Sequence, residues 1–293
     1  MRTTVALLFT ALALARPAAA KEPDAGTIER ITGLAPEVKD GVAKVSVPRS
    51  DLSVTVDGVR LAPFQGLTTW AAFARSGDKT IVMGDMTLAE DEVSPAMSAA
   101  LDNGLEVTAL HNHFSFDHPP ILFMHIGGTG TTERLATGVR KTLDAVKEVR
   151  ARAATPGEGF GGAAIPATST LDPKSLEAIL GGTAQAKDGM VKFVFGRTTS
   201  MHGSTMGAAM GVNTWAAFAG SPEAAVVDGD VAMLESELQG VLKALRAAKI
   251  NVVAIHTHMI HEQPRIMFLH YWGKGTAADL ARGIKQALAT ERK

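Results

Sequence analysis

The sequence predicts an α+β fold built from two homologous halves, each a mainly antiparallel sheet with a helix inserted and a long helix at its end. Three observations carry this. A set of motifs returns without a gap at a constant offset of 145 positions. Within each copy, strand-length runs of β-branched and aromatic residues alternate with stretches of helical periodicity. Hydrophobic residues make up 46% of the 293 positions, enough for one large core or two smaller ones, and with no cysteine that core must hold the fold without disulfides.

The repeat defines the organisation. Gly66-x-x-Thr69-Trp70-Ala71-Ala72-Phe73-Ala74 returns as Gly211-x-x-Thr214-Trp215-Ala216-Ala217-Phe218-Ala219. Gly84-Asp85 returns as Gly229-Asp230, Glu90-x-Glu92 as Glu235-x-Glu237, and Leu135-Ala136-x-Gly138 as Leu280-Ala281-x-Gly283. Upstream, Lys39-Asp40-Gly41 and Arg49 match Lys187-Asp188-Gly189 and Arg197 at an offset of 148, so copy two is three residues shorter between Arg197 and Gly211. Repeat one takes residues 21–150 and repeat two residues 171–293. Residues 151–170, rich in Gly, Ala, Pro and Thr, read as a flexible linker that lets the copies pack face to face.

Each element follows from local pattern. Thr27 to Leu34 reads as a short helix and Val42 to Val47 as an alternating strand. The Trp70 and Trp215 segments pair with strands at Ile81 to Met86 and Val226 to Val231, with Asp85 and Asp230 near the strand ends. A helix follows, Asp91 to Asn103 or Glu235 to Lys249, with acidic residues where its macrodipole favours them. Leu105 to His113 and Ile121 to Ile126 are the next strands, and Thr131 to Arg150 the closing helix. The expected order is α-β-β-β-α-β-β-α, twice.

Residues 1–20 read as a secretory signal peptide: Arg2 starts it, Val5 to Ala15 is apolar but too short to span a bilayer, and Ala18-Ala19-Ala20 supplies small residues for cleavage. The expected location is periplasmic or secreted. Removing Arg2 and Arg16 takes the net charge from −1 to −3. The remaining basic residues are scattered rather than gathered on one face, which argues against a nucleic-acid partner. No later apolar run has transmembrane length.

Eight of the nine histidines fall in two short windows. His111-Asn112-His113 and Pro119-x-Ile121-x-Phe123-x-His125 return as His256-Thr257-His258 and Pro264-x-Ile266-x-Phe268-x-His270. Residues two apart on a strand share a face, and the third histidine has the parity to join them from a neighbouring antiparallel strand. His111, His113 and His125, and separately His256, His258 and His270, are therefore expected to form two triads. Three neutral imidazoles with an open fourth position suit zinc, and copper accepts the same donors.

Other groups are candidates of a second kind. Asp117 and Glu262 hold equivalent places in the loop between the histidine strands, where a carboxylate acts as a general base or simply meets solvent. Asp85 and Asp230 are candidates to orient an imidazole through its distal nitrogen. Glu90, Glu92, Glu235 and Glu237 are explained by capping and solvation. Trp70 and Trp215, each beside small residues, read as core packing. His118, His202 and His261 break the repeat and read as loop histidines.

Thr69-Trp70-Ala71-Ala72-Phe73, Gly84-Asp85-Met86, His111-Asn112-His113 and Pro119 to Gly130, with their counterparts in copy two, resemble the LppY/LpqO family of bacterial exported proteins, a domain family of unknown function. The resemblance covers residues 21–293 and implies export and the duplicated architecture, but no activity. The family's lipoprotein members carry a lipidated cysteine, absent from this chain.

Together these features describe an exported protein binding zinc or copper, with or without metal-dependent hydrolysis of a small ester, amide or phosphate. The alternative is a non-catalytic module clamping a small polar or anionic ligand between the halves.

Overall fold

The computed structural model describes residues 23–290. The signal-peptide segment lies outside them. In the first half, helix α1 (Ala25–Thr32) is followed by strands β1 (Glu37–Lys39), β2 (Val42–Pro48), β3 (Thr68–Ser76) and β4 (Lys79–Ala89). Helix α2 (Glu90–Asp102), strands β5 (Glu106–Asn112) and β6 (Ile121–Gly130) and helix α3 (Thr132–Arg152) complete it. The second half repeats the order: α4 (Pro173–Leu180), β7 (Gln185–Lys187), β8 (Met190–Gly196), β9 (Asn213–Gly220), β10 (Ala225–Leu234), α5 (Leu238–Ala247), β11 (Asn251–His256), β12 (Ile266–Gly275) and α6 (Ala277–Thr290). The α+β class and the duplication are as the sequence predicts. Asp24 and Asp172 cap the entry helices by accepting the N–H groups of Thr27 and of Lys174 and Ser175.

These twelve strands join one antiparallel sheet, in the order β1-β2-β3-β4-β6-β5-β11-β12-β10-β9-β8-β7, and five shorter strands form a two-stranded and a three-stranded sheet beside it. The halves do not pack face to face; they meet edge to edge, β5 beside β11, with Leu110 opposite Ile255. The physical reason is that both strands carry an unpaired edge, which antiparallel pairing satisfies. Gln239 reinforces the join, accepting the N–H of Val107 and donating to its carbonyl at 3.0 and 2.8 Å. Residues 153–172 form no helix or strand between the halves.

The helices cover one face of the sheet. Phe73, Leu110, Met124, Phe218 and Leu269 from that face join Ile28, Met97, Leu135, Leu242 and Ile284 from the helices in a core that runs through both halves. The opposite face is largely open: Ile81 and Met83 are exposed there. Two excursions roof its ends. Residues 49–67 cover Phe123 together with Leu52, Val54 and Leu67, and residues 197–212 cover Phe268 together with Val212 and Ile266. The three-residue shortening of copy two falls in this second excursion.

Two expectations are corrected. Asp85 and Asp230 lie mid-strand rather than at strand ends, because β4 and β10 continue to Ala89 and Leu234. Trp70 and Trp215 are not in the core: strand alternation that buries Phe73 and Phe218 sends the indoles to the open face. There Lys44 Nζ sits 4.5 Å and Lys192 Nζ 4.6 Å from the ring centroids.

Candidate metal centre

The strand register gathers the histidines. Asp85 stands opposite His125 and Trp70, and Asp230 opposite His270 and Trp215, in direct cross-strand pairs. His125 and His270 in turn face Ala109 and Ala254, so the His-x-His segments share their face of the sheet. A residue between Val107 and Ala109, and another between Val252 and Ala254, bulges out of the ladder. These bulges set the parity that turns His111 and His256 towards the open side.

Glycine precedes each aspartate for a steric reason. A Cβ at Gly84 would lie 2.7 Å from the Trp70 carbonyl oxygen, and one at Gly229 would lie 2.1 Å from Tyr271 Oη. Tyr271 Oη donates to the Trp215 carbonyl at 3.0 Å, directly over that glycine. Only glycine permits so close an approach of neighbouring strands.

In copy one the ring centroids of His111 and His113, and of His111 and His125, are both 5.1 Å apart. In copy two His256 lies 5.0 Å from His258 and 4.9 Å from His270. His113 stacks on Phe123 at 3.4 Å and His258 on Phe268 at 3.5 Å, centroid to centroid. These phenylalanines are platforms that sequence reasoning missed. The signal was present: Phe stands two residues before the third histidine in both motifs, on the same strand face.

Copy two is the tighter cluster. His256 Nε2 and His258 Nε2 are 3.1 Å apart, and His258 Nε2 is 3.5 Å from Asp230 Oδ2. One ligand atom from each of Asp230, His256 and His258 lies within 4.8 Å of the others, the single such group among the described residues. Donors on a tetrahedral ion with bonds of about 2.0–2.1 Å stand roughly 3.3 Å apart. The sequence reading had Asp230 orienting an imidazole through its distal nitrogen; the structure brings its carboxylate beside His258 Nε2, on the same side as His256 Nε2. His270 stacks against His256 and its Nδ1 lies 3.3 Å from the Gly229 carbonyl.

The electrostatics suit a cation. Burial pushes the Asp230 carboxyl up to about 6, against the pull of His270 and the backbone N–H groups of Leu269 and Val231. Burial also holds His256 and His258 below the ordinary histidine range, with His270 adding to the effect on both. His113 is lowered chiefly by burial; Asp85 opposes this, and His111 and His125 add to it. Neutral imidazoles keep a free lone pair. Asp85 Oδ1, Asp230 Oδ1 and His256 Nδ1 are buried without a hydrogen-bond partner, the condition a bound cation or its ligands would relieve.

The loop carboxylates are not among the three residues of that group. Asp117 Oδ2 accepts the N–H of Ile121 at 2.7 Å and Glu262 Oε1 that of Ile266 at 3.2 Å. Both brace the turn leading into the third-histidine strand. Glu262 is buried, with Oε2 unpartnered. His202 and His261 come within 5.9 Å of each other on exposed loops, apart from the repeat's symmetry.

The profile described as Domain of Unknown Function (DUF1259), DUF1529, matches residues 26–145 and again residues 174–290. The chain belongs to this DUF1259 family. Two matches along one chain agree with the duplication. Among curated proteins none matches the sequence. A solved structure titled as a trimeric bacterial microcompartment shell protein, PduB, aligns at 12% identity over 87% of this chain and 89% of that one. Its TM-score is 0.21, too low to bear on fold or function. Among the described residues no helix is long and apolar enough to cross a membrane.

Proposed function

We propose that this DUF1259 protein is an exported, LppY/LpqO-like metal-binding protein that holds a zinc or copper ion through Asp230, His256 and His258, with His270 beside them. The observation that carries the reading is the convergence of three ligand atoms within 4.8 Å of one another, with 3.1 and 3.5 Å for two of the pairs. His111, His113, His125 and Asp85 offer the same donor types in copy one. A neutral imidazole pair with one carboxylate is the donor set of zinc sites that keep an open position. The Phe268 platform fixes one ring, which reduces the ordering entropy that a flexible exposed histidine would lose on binding.

The open face leaves the solvent side of the cluster accessible. A dication there supplies Lewis acidity towards a carbonyl or phosphoryl oxygen, so hydrolysis of a small ester, amide or phosphate is the chemistry proposed for it. Export rests on residues 1–20 and on the family resemblance.

The test is elemental analysis of protein purified without chelator. Wild type is expected to retain metal near stoichiometrically, and H256A/H258A to lose it from copy two while keeping its circular dichroism spectrum. Unchanged metal content in the double variant would refute the assignment.

A further inference from the structure

The sheet register makes the two copies' histidines neighbours. Leu110 stands opposite Ile255 across the join of the halves. One step along that antiparallel ladder in each direction sets His111 opposite Ala254 and Ala109 opposite His256. Within the halves, Ala109 faces His125, His111 faces Phe123, Ala254 faces His270 and His256 faces Phe268. Two adjacent rows therefore cross four strands on the open face. One reads His125, Ala109, His256, Phe268, and the other reads Phe123, His111, Ala254, His270.

The four histidines of these rows form a zigzag, and the two inner positions between them are alanines. Both alanines are partly exposed. Asp85 extends the first row beyond His125, and Asp230 extends the second beyond His270. The arrangement has the approximate twofold symmetry of the duplication. His111 and His256 are diagonal neighbours across the join, positions that in an antiparallel pair stand about 7–8 Å apart, with Cβ atoms somewhat closer.

We propose that the two histidine clusters form one dinuclear centre, its two dications facing each other across Ala109 and Ala254 and bridged by an oxyanion of the phosphate class. This deepens the metal-binding reading above and rests on it. The geometry supplies adjacency, and the alanines supply room that a larger side chain would fill. Charge supplies the ligand class: two dications bring four positive charges, Asp85 and Asp230 return two, and neutral imidazoles return none. A dianionic oxygen ligand balances the remainder on a partly buried floor. Paired ions sharing oxygens of one substrate are a recognised arrangement for phosphoryl groups.

The experiment is electron paramagnetic resonance of the full chain, stripped of metal and loaded with two equivalents of Cu(II), with and without inorganic phosphate. Two retained ions, dipolar broadening with a half-field transition, and a change in both on adding phosphate are expected. In A109L/A254L, which keeps every ligand, both ions are expected to remain while coupling and the phosphate response disappear. Two magnetically isolated ions, or one retained ion, would overturn the joint centre and leave the copy-two site standing. Coupling insensitive to phosphate would overturn the oxyanion bridge. No retained copper at all would instead overturn the metal reading itself.

Discussion

Asp230 is held between opposed demands. Burial in the metal-free fold pushes its carboxyl up to about 6, yet a cation ligand must be ionised. A carboxyl with a raised folded-state pKa contributes stability that is fully present below the ordinary carboxylate range and lost as pH rises through about 6. D230N, neutral at every pH, is therefore expected to stabilise the metal-free protein at pH 8 by on the order of 2–3 kcal/mol and to give no gain at pH 3.5. Urea denaturation in chelator at the two pH values checks this, and an equal gain at both would contradict it. With zinc present the order should reverse, since the variant lacks one ligand. The histidines of this site were legible from spacing alone, because strand parity is a property of sequence. The aspartate's place beside them was not: its approach to His258 crosses from β10 to the segment after β11, a relation only the folded sheet creates.

At the scale of elements, each half is bolted where β4 or β10 turns into its helix. Glu92 accepts the N–H of Ala89 at 2.8 Å and pairs with Arg49 at 2.7 Å and Arg150 at 2.9 Å, while wholly buried. Arg49 also donates to the Thr87 carbonyl at 2.6 Å. Copy two keeps the core of this device, Arg197 with Glu237 at 2.5 Å and the N–H of Leu234 on Glu237 at 2.6 Å. The capping expected of Glu92 and Glu237 is present, and Glu90 and Glu235 are solvated as expected; Glu92 and Glu237 are not, because Arg49 and Arg197 return across the sheet to meet them. That Arg49 and Glu92 both recur in the repeat was the available signal, but they are 43 residues apart and no local pattern joins them. E92Q takes the buried carboxylate away from Arg49 and Arg150, which keep Asp51 and Asp91 as partners, and is expected to cost about 1.5–3 kcal/mol in urea denaturation. E237Q, at a pair with 19% and 11% side-chain exposure, is expected to cost less. Equal losses would show that burial does not set the difference.

For the whole molecule, the consequence of edge-to-edge joining is a single cooperative unit. The core passes through both halves, and Gln239, Ser94 with Asn251, and Arg246 with Ser98 tie one to the other. One calorimetric transition is expected, with Q239A lowering stability by about 1–3 kcal/mol through the unpaired Val107 backbone groups. Two separated transitions would contradict this. The duplication was plain from sequence because the motifs keep a constant offset. The join was not, since strand pairing between distant segments leaves no local pattern, and the same edge that suits a partner strand suits a linker-separated packing equally well on paper. Joining at β5 and β11 is also what turns two histidine windows into neighbours on one open face, and it is the histidines' role there that matters most. X-ray absorption at the zinc edge of the zinc-loaded full chain tests it most directly. The expected shell has nitrogen and oxygen donors at about 2.0–2.1 Å with the multiple scattering of at least two imidazoles, reduced in H256A/H258A. A shell of oxygen donors alone, unchanged in that variant, would contradict metal binding at these histidines.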